Sequence, residues 1–204
     1  LGARRVSHIL VTHSHRDHSP AADALKAWSG AKVYGVPLCA APAADEGKAD
    51  EAHDHDFAPD ILVHDGMWIA GDGFDLECVA TPGHTRNHIC YSLVQEAALF
   101  SGDHVMGWST SVIAPPDGKM CDYLASLEKL ASRRDKVFYP THGSPIADPA
   151  DWLAQLVAHR RMREHQIVAA LKLGALNAEQ LAERLYSGIA PVLARAAAQQ
   201  VMAH

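Results

Sequence analysis

Thr12-His13-Ser14-His15-Arg16-Asp17-His18 places three imidazoles and a carboxylate within six residues. The cluster directly follows the apolar run Val6-Ser7-His8-Ile9-Leu10-Val11. Such a run reads as a buried strand, so the cluster sits on the loop that leaves its end. His, His, Asp, His is a nitrogen and oxygen donor set suited to zinc and its neighbours. The bland alternative is a solvated polar loop. Three more ligand types downstream, each just past its own apolar run, argue against it.

His84 lies in Thr81-Pro82-Gly83-His84-Thr85, after Phe74-Asp75-Leu76-Glu77-Cys78-Val79-Ala80. That run alternates apolar and acidic residues, the mark of a half-buried strand, and Pro82-Gly83 is a turn signal. Asp103 lies in Ser101-Gly102-Asp103-His104, after Ala97-Ala98-Leu99-Phe100. His142 lies in Pro140-Thr141-His142-Gly143, after Val137-Phe138-Tyr139. Four strand ends that deliver ligands to one sheet edge make an active-site architecture.

Taken in order, the H-x-H-x-D-H loop, the T-P-G-H-T turn, the G-D element and the late single His resemble the metallo-beta-lactamase superfamily over nearly the whole chain. Gly102 to Thr110, Pro115-Pro116-Asp117-Gly118 and His159 to Ile167 resemble one subgroup of it, bacterial hydrolases of unassigned substrate and a mitochondrial beta-lactamase-like endoribonuclease. The resemblance implies an α/β (α+β) chain folded as an αββα sandwich. It implies that His13, His15 and His84 hold one metal, that Asp17, His18 and His142 hold a second, and that Asp103 bridges both. Two Zn are the implied cofactors, with Fe or Mn as alternatives. Seven ligands exceed one tetrahedral zinc and suit two metals sharing a carboxylate and a hydroxide. That hydroxide is the implied nucleophile, with Asp103 and Asp17 as the catalytic carboxylates and Asp17 or a nearby water serving the leaving group. Three departures narrow the reading. Asp at position 103 argues against the true beta-lactamases with Cys there, and His15 against the diiron flavoprotein branch with Glu there. No long insertion separates Asp103 from His142, so a nuclease cap is missing.

With 204 residues, 48% of them apolar, the chain suffices for one good core with a small accessory domain. We expect a catalytic domain over 1–148 and a helical appendage over 149–204. Only Leu1 to Arg5 precede the first ligand strand, so the catalytic domain is expected to lack its N-terminal strands here. The apolar stretches fall far short of the roughly 20 residues of a membrane span. No signal-peptide pattern is visible. Cys39, Cys78, Cys90 and Cys121 are scattered without a C-x-x-C pair, and Cys78 and Cys90 read as core residues. A reducing, cytoplasmic location is the simplest expectation. The net charge of −6 does not favour nucleic acid. Six basic against four acidic residues from Asp151 onward nonetheless leave RNA open as a partner through the C-terminal basic helix.

Ser19-Pro20 is expected to open a helix to about Trp28, with Ser as N-cap, and Gly30 to end it. Lys32-Val33-Tyr34 reads as a strand and residues 37–60 as a long loop over the site, with His53-Asp54-His55-Asp56 solvated on it. Ile61-Leu62-Val63 and Met67-Trp68-Ile69 around His64-Asp65-Gly66 read as a hairpin, with His64 at the surface. Ile89 to Leu93 and Ala98 to Phe100 read as strands, and Cys121 to Ser132 as an amphipathic packing helix. Pro149 to about Leu173, Ala178 to Tyr186 behind an Asn177/Gln180 capping box, and Pro191 to the end read as helices of a winged-helix-like appendage without its wing. Arg160, Arg161 and Arg163 could meet phosphates, face solvent or cover the site.

Thr12 and Thr85 are candidates to orient metal-bound groups, and His88 and His104 to brace ligands or meet substrate. Trp108, Ser109 and Tyr123 are candidates to line the pocket. The leading function is a dinuclear zinc hydrolase of a small or medium substrate: an ester, thioester, lactone or phosphodiester. The alternatives are an endoribonuclease of the beta-lactamase-like subgroup, a mononuclear iron sulfur-dioxygenase using His13, His84 and Asp103, and a non-enzymatic metal-binding protein. Intact Asp17, His18 and His142 weigh against the mononuclear iron site. Oligomeric state is left open.

Overall fold

A computed structural model describes residues 5–38, 53–174 and 176–204. Strand β1 (His8–Leu10), helix α1 (Ala21–Ser29), β2 (Lys32–Gly35) and β3 (Ile61–Leu62) form a parallel sheet in the order β1-β2-β3 with its crossover helix. Gly30, in the left-handed region at φ 72°, ends α1 by donating to Lys26 O. The second sheet runs in sequence order: β4 (Trp68–Gly71), β5 (Phe74–Ala80), β6 (Ile89–Leu93), β7 (Ala98–Gly102) and β8 (Val137–Pro140). Its pairs are antiparallel until β7 and β8, which are parallel and joined through α2 (Met120–Ala131). The chain ends in α3 (Pro149–Lys172), α4 (Ala178–Leu185) and α5 (Ala194–Ala203).

Strand alternation builds the layers. Leu76 and Cys78 on β5, with Ile89 and Tyr91 on β6, pack toward Leu10 and Tyr34 of the first sheet. Val79 and Cys90, on the opposite face of the same two strands, point the other way, into a core with Leu127 and Leu130 of α2 and Leu153 and Leu156 of α3. On the far side, Ala22 packs beneath Ile9, Val11 and Val33. The result is helix, sheet, sheet, helix. Tyr91 Oη crosses between the sheets to donate to Val11 O at 2.8 Å. A separate cluster of Ile167, Ala170, Leu181, Ala197 and Val201 joins the end of α3 to α4 and α5. Helix α3 therefore serves both cores.

Three expectations are corrected. Ile61-Leu62-Val63 and Met67-Trp68-Ile69 are not a hairpin, because they belong to different sheets. Val63 N donates to Gly35 O, whereas Met67 O accepts from Cys78 N. A short polar link between two apolar runs carries the same local signal whether the chain turns back or crosses over. Pro20, not Ser19, precedes the first helical residue, and Ser19 Oγ instead donates to Asp54 Oδ2 at 2.7 Å. The His53 segment is not wholly solvated, since His53 is buried and bridges to His15. Residues 39–52 of the expected long loop, Cys39 among them, lie outside the described residues. Among the described residues no helix is long and apolar enough to cross a membrane.

Replacing Tyr91 by Phe keeps the ring and strands the Val11 carbonyl. The expected cost is about 1–3 kcal/mol in urea unfolding. An unchanged midpoint would mean that the intersheet bond contributes nothing.

Candidate metal centre

Strands β5 and β7 both run antiparallel to β6, and β8 runs parallel to β7. The C-terminal ends of β5, β7 and β8 therefore share one edge. The end of β1 is tied to that edge by Ile89 N donating to Thr12 O at 2.8 Å. This brings the loop 13–18, His84, Asp103 and His142 together.

His13 Nε2 lies 3.0 Å from His15 Nδ1, and His84 Nε2 lies 3.2 Å from the same atom. Metal–nitrogen bonds of about 2.0–2.1 Å in a tetrahedron put their nitrogens about 3.4 Å apart, close to these separations. The outer ring atoms set the tautomers. His84 Nδ1 donates to Val112 O at 2.6 Å, which leaves Nε2 as an inward lone pair. His13 Nδ1 lies 3.0 Å from Thr12 Oγ1. Burial, and then the neighbouring imidazoles, hold His13 well below the ordinary imidazole pKa and push His15 down to about 2. Burial also lowers His84. Neutral lone pairs crowded in a buried place are the chemistry of a cation site.

Asp17 Oδ2 lies 3.3 Å from both His18 Nε2 and His142 Nε2. Asp103 Oδ2 is 3.4 Å from His18 Nε2, 3.6 Å from His142 Nε2 and 3.8 Å from His84 Nε2. One carboxylate oxygen thus faces both groups. Among the described residues three sets are close enough to share an ion: His13, His15 and His84; His13, His18 and Asp103; Asp17, His18 and His142. His18 Nε2 is buried with no hydrogen-bond partner of good geometry, which suits an atom meant for a cation. Burial works against the Asp103 charge, but the adjacent His18 ring, with Thr141 Oγ1 donating to Oδ1, outweighs it and holds the carboxyl below its usual range.

The surroundings of Asp103 are built for position. Its N–H donates to His88 Nε2 at 3.2 Å, and His88 Nδ1 lies 2.8 Å from Thr81 Oγ1. Its carbonyl accepts from Ser111 Oγ, which also reaches His104 O at 2.8 Å. His88 therefore braces a ligand from a buried position. His104 is buried among rings, 4.7 Å from Tyr123 and 5.7 Å from His88, and burial, with the His84 imidazole nearby, lowers it to about 3. Thr85 Oγ1 is buried without a partner. Its carbonyl accepts from Gly83 N at 3.1 Å, which shapes the turn before His84. Gly83 sits at φ +145°, and a Cβ there would fall 2.4 Å from Tyr123 Cα. Trp108 is 72% exposed and Ser109 is exposed, on the loop that Gly107 N fastens to His142 O at 2.9 Å. The Trp108 ring edge lies against Gly143.

Tyr123 does not line a pocket. It is fully buried in the α2–α3 core, where one face of an amphipathic helix must go. The three arginines differ from one another. Arg160 is 2% exposed and donates to Ser111 O and Gln200 Oε1, Arg161 pairs with Glu128, and Arg163 lies over Tyr186. Sequence reading missed Thr141, Ser111, the Val112 carbonyl and Asn87 (which donates to Ser14 Oγ at 3.0 Å). Of these, only Thr141 sits in a recognisable motif. The others act through backbone groups or long-range contacts with no sequence period.

A sequence model of the metallo-beta-lactamase superfamily matches residues 1–142. A thioesterase of Emericella nidulans, pkgB, is 34% identical over 171 residues, covering 83% of this chain and 44% of its own length. The atrochrysone carboxyl ACP thioesterase AgnL7 of Paecilomyces divaricatus is 32% identical, covering 82% of this chain and 47% of its own. The crystal structure of a beta-lactamase domain protein from Burkholderia ambifaria superposes with a TM-score of 0.83 at 21% identity, covering 100% of this chain and 68% of that one. This chain spans about half the length of the curated relatives it matches.

Gly83→Ala should cost about 3 kcal/mol and lower metal uptake by the His13, His15 and His84 group, read by denaturation and metal analysis. Retained stability and full metal uptake would contradict the close approach. In the metal-free protein, His13, His15, His88 and His104 all have depressed folded-state values. Below the unfolded value of about 6.5 the unfolded chain takes the protons first, so stability should fall as pH drops. Denaturation in chelator at pH 7.5, 6 and 5 should show the decline, and a flat profile would contradict it.

Proposed function

Because the chain belongs to the metallo-beta-lactamase superfamily, we propose that it is a dinuclear metal hydrolase acting on acyl thioesters. The observation that carries this reading is Asp103 Oδ2, which faces His84 on one side and His18 and His142 on the other. His13, His15 and His84 would hold one cation, Asp17, His18 and His142 the other, with Asp103 common to both. The nitrogen and oxygen donors suit zinc, with iron or manganese as chemical alternatives. Bound there, a cation pair supplies a water acidic enough to attack at neutral pH and polarises the scissile carbonyl.

The chain's own residues do the rest. His88, Ser111 and Thr141 lock Asp103 so that its carboxylate cannot swing away from either ligand group. Asp17 is half exposed on the open side with His142, where the carboxylate oxygen not given to a cation would hold or return a proton as the thiol leaves. Exposed Trp108, on the loop that Gly107 N fastens to His142 O, would offer an apolar wall to an acyl chain. Relatives named as thioesterases, at 32% and 34% identity, support the thioester over the phosphodiester. So does the burial of Arg160, which leaves its guanidinium no open face for a phosphate.

The zinc-loaded protein should release thiol from short-chain acyl pantetheines and leave an RNA panel uncut. Asp103→Asn should lower that turnover at least about a thousandfold, roughly 4 kcal/mol of barrier. RNA cleavage without any thiol release would refute the thioester assignment.

A further inference from the structure

Two C-terminal helices reach back to the loop that follows Asp103 through three hydrogen bonds, all to backbone carbonyls. Trp152 Nε1 on α3 donates to Met106 O at 3.0 Å. Arg160 on α3 donates to Ser111 O at 2.5 Å. Gln200 Nε2 on α5 donates to Ile113 O at 2.8 Å, and its Oε1 accepts from Arg160 at 2.9 Å. The last two contacts bracket Val112, whose carbonyl fixes the tautomer of His84. Ser111 in turn donates from Oγ to the carbonyls of Asp103 and His104.

Arg160 is an expensive residue to keep where it is. It is 2% exposed, its partners are a carbonyl and an amide, and its guanidinium lies 5.3 Å from the Tyr123 ring centre. A cation stripped of water and held by neutral groups is unfavourable, because neutral dipoles replace only part of its lost hydration. A methionine would fill similar volume without that cost. What it gives in return is geometry: a rigid fork that joins α5 and the loop at fixed spacing.

We propose that Arg160, seconded by Gln200, is a positioning residue for the metal centre. It holds the Ser111–Ile113 segment so that Asp103 and His84 present their donor atoms together. The helical tail is thus part of the metal-binding apparatus, not an independent appendage. The inference rests on the metal-centre reading and is independent of which substrate is cleaved.

Zinc affinity, measured by competition with a chromophoric chelator, tests it without reference to activity. Arg160→Met should remain folded by circular dichroism, take up zinc about 10–100-fold more weakly and speed amide exchange in residues 106–113. Arg161→Met, on the exposed face of α3, should bind zinc as the unchanged protein does. Wild-type affinity in a folded Arg160→Met overturns the proposal. If that variant fails to fold, Gln200→Leu decides, because it removes the strap to Ile113 O and the Gln200 acceptor of Arg160 while the Arg160 bond to Ser111 O stays in place. A loss of about tenfold supports the proposal and unchanged affinity overturns it. Unchanged protein that takes up no zinc would overturn the metal centre itself, and this inference with it.

Discussion

Asp103 Oδ2 faces imidazole nitrogens that arrive from three separate loops, at 3.4, 3.6 and 3.8 Å. Placing one oxygen within reach of three such groups is demanding, since each loop carries its own freedom. The structure removes that freedom from the Asp103 side. Its N–H, its carbonyl and its second carboxylate oxygen are each committed to a different partner, His88, Ser111 and Thr141. With both main-chain groups and one side-chain oxygen held, the remaining oxygen has one place to be.

The two ligand groups are built differently. His13, His15 and His84 are buried, and burial keeps them neutral. Their outer nitrogens are aimed by Thr12 and by the Val112 carbonyl. Asp17 and His142 stand at the open side, 47% and 41% exposed, with the Trp108 indole on the loop fastened to His142. A closed set beside an open one suits a centre in which one position anchors and the other meets substrate. The crowding of uncharged imidazoles is unfavourable without a cation, so local stability and metal occupancy are coupled.

Glycines govern how closely the loops approach. A Cβ on Gly107 would fall 2.1 Å from Ser144 O, and one on Gly83 would enter the backbone of α2. These contacts let the Trp108 loop dock beside His142 and let the Pro82-Gly83 turn present His84 above the helix-side core. The same economy appears at Tyr123, whose ring fills the core and sits between His104 and Arg160.

Much of this was legible in the sequence. Ligand residues placed just past apolar runs are local features, and strand period with turn chemistry predicts both the strand and the side-chain type at its end. The capping box of α4 and the Gly30 stop of α1 are local in the same sense. The misreadings concern partners distant along the chain. The link between Leu62 and Trp68 has the composition of a turn, and only pairing to Gly35 on one side and Cys78 on the other sends it between sheets. His53 resembled a solvated polar residue until its packing against His15 was seen. In the sequence Arg160 stays open between a phosphate contact, a solvent-facing cation and a cover over the site, because a sequence does not say which face a helix turns toward a loop 49 residues earlier. The chain by itself determined the donor types, their order and the strands that end at them, since these depend on neighbours within a few residues. The tertiary structure alone decided which backbone carbonyls aim the imidazoles, which oxygen faces both ligand groups and how the C-terminal helices grip the loop, since each is a contact between segments that meet only in the folded chain.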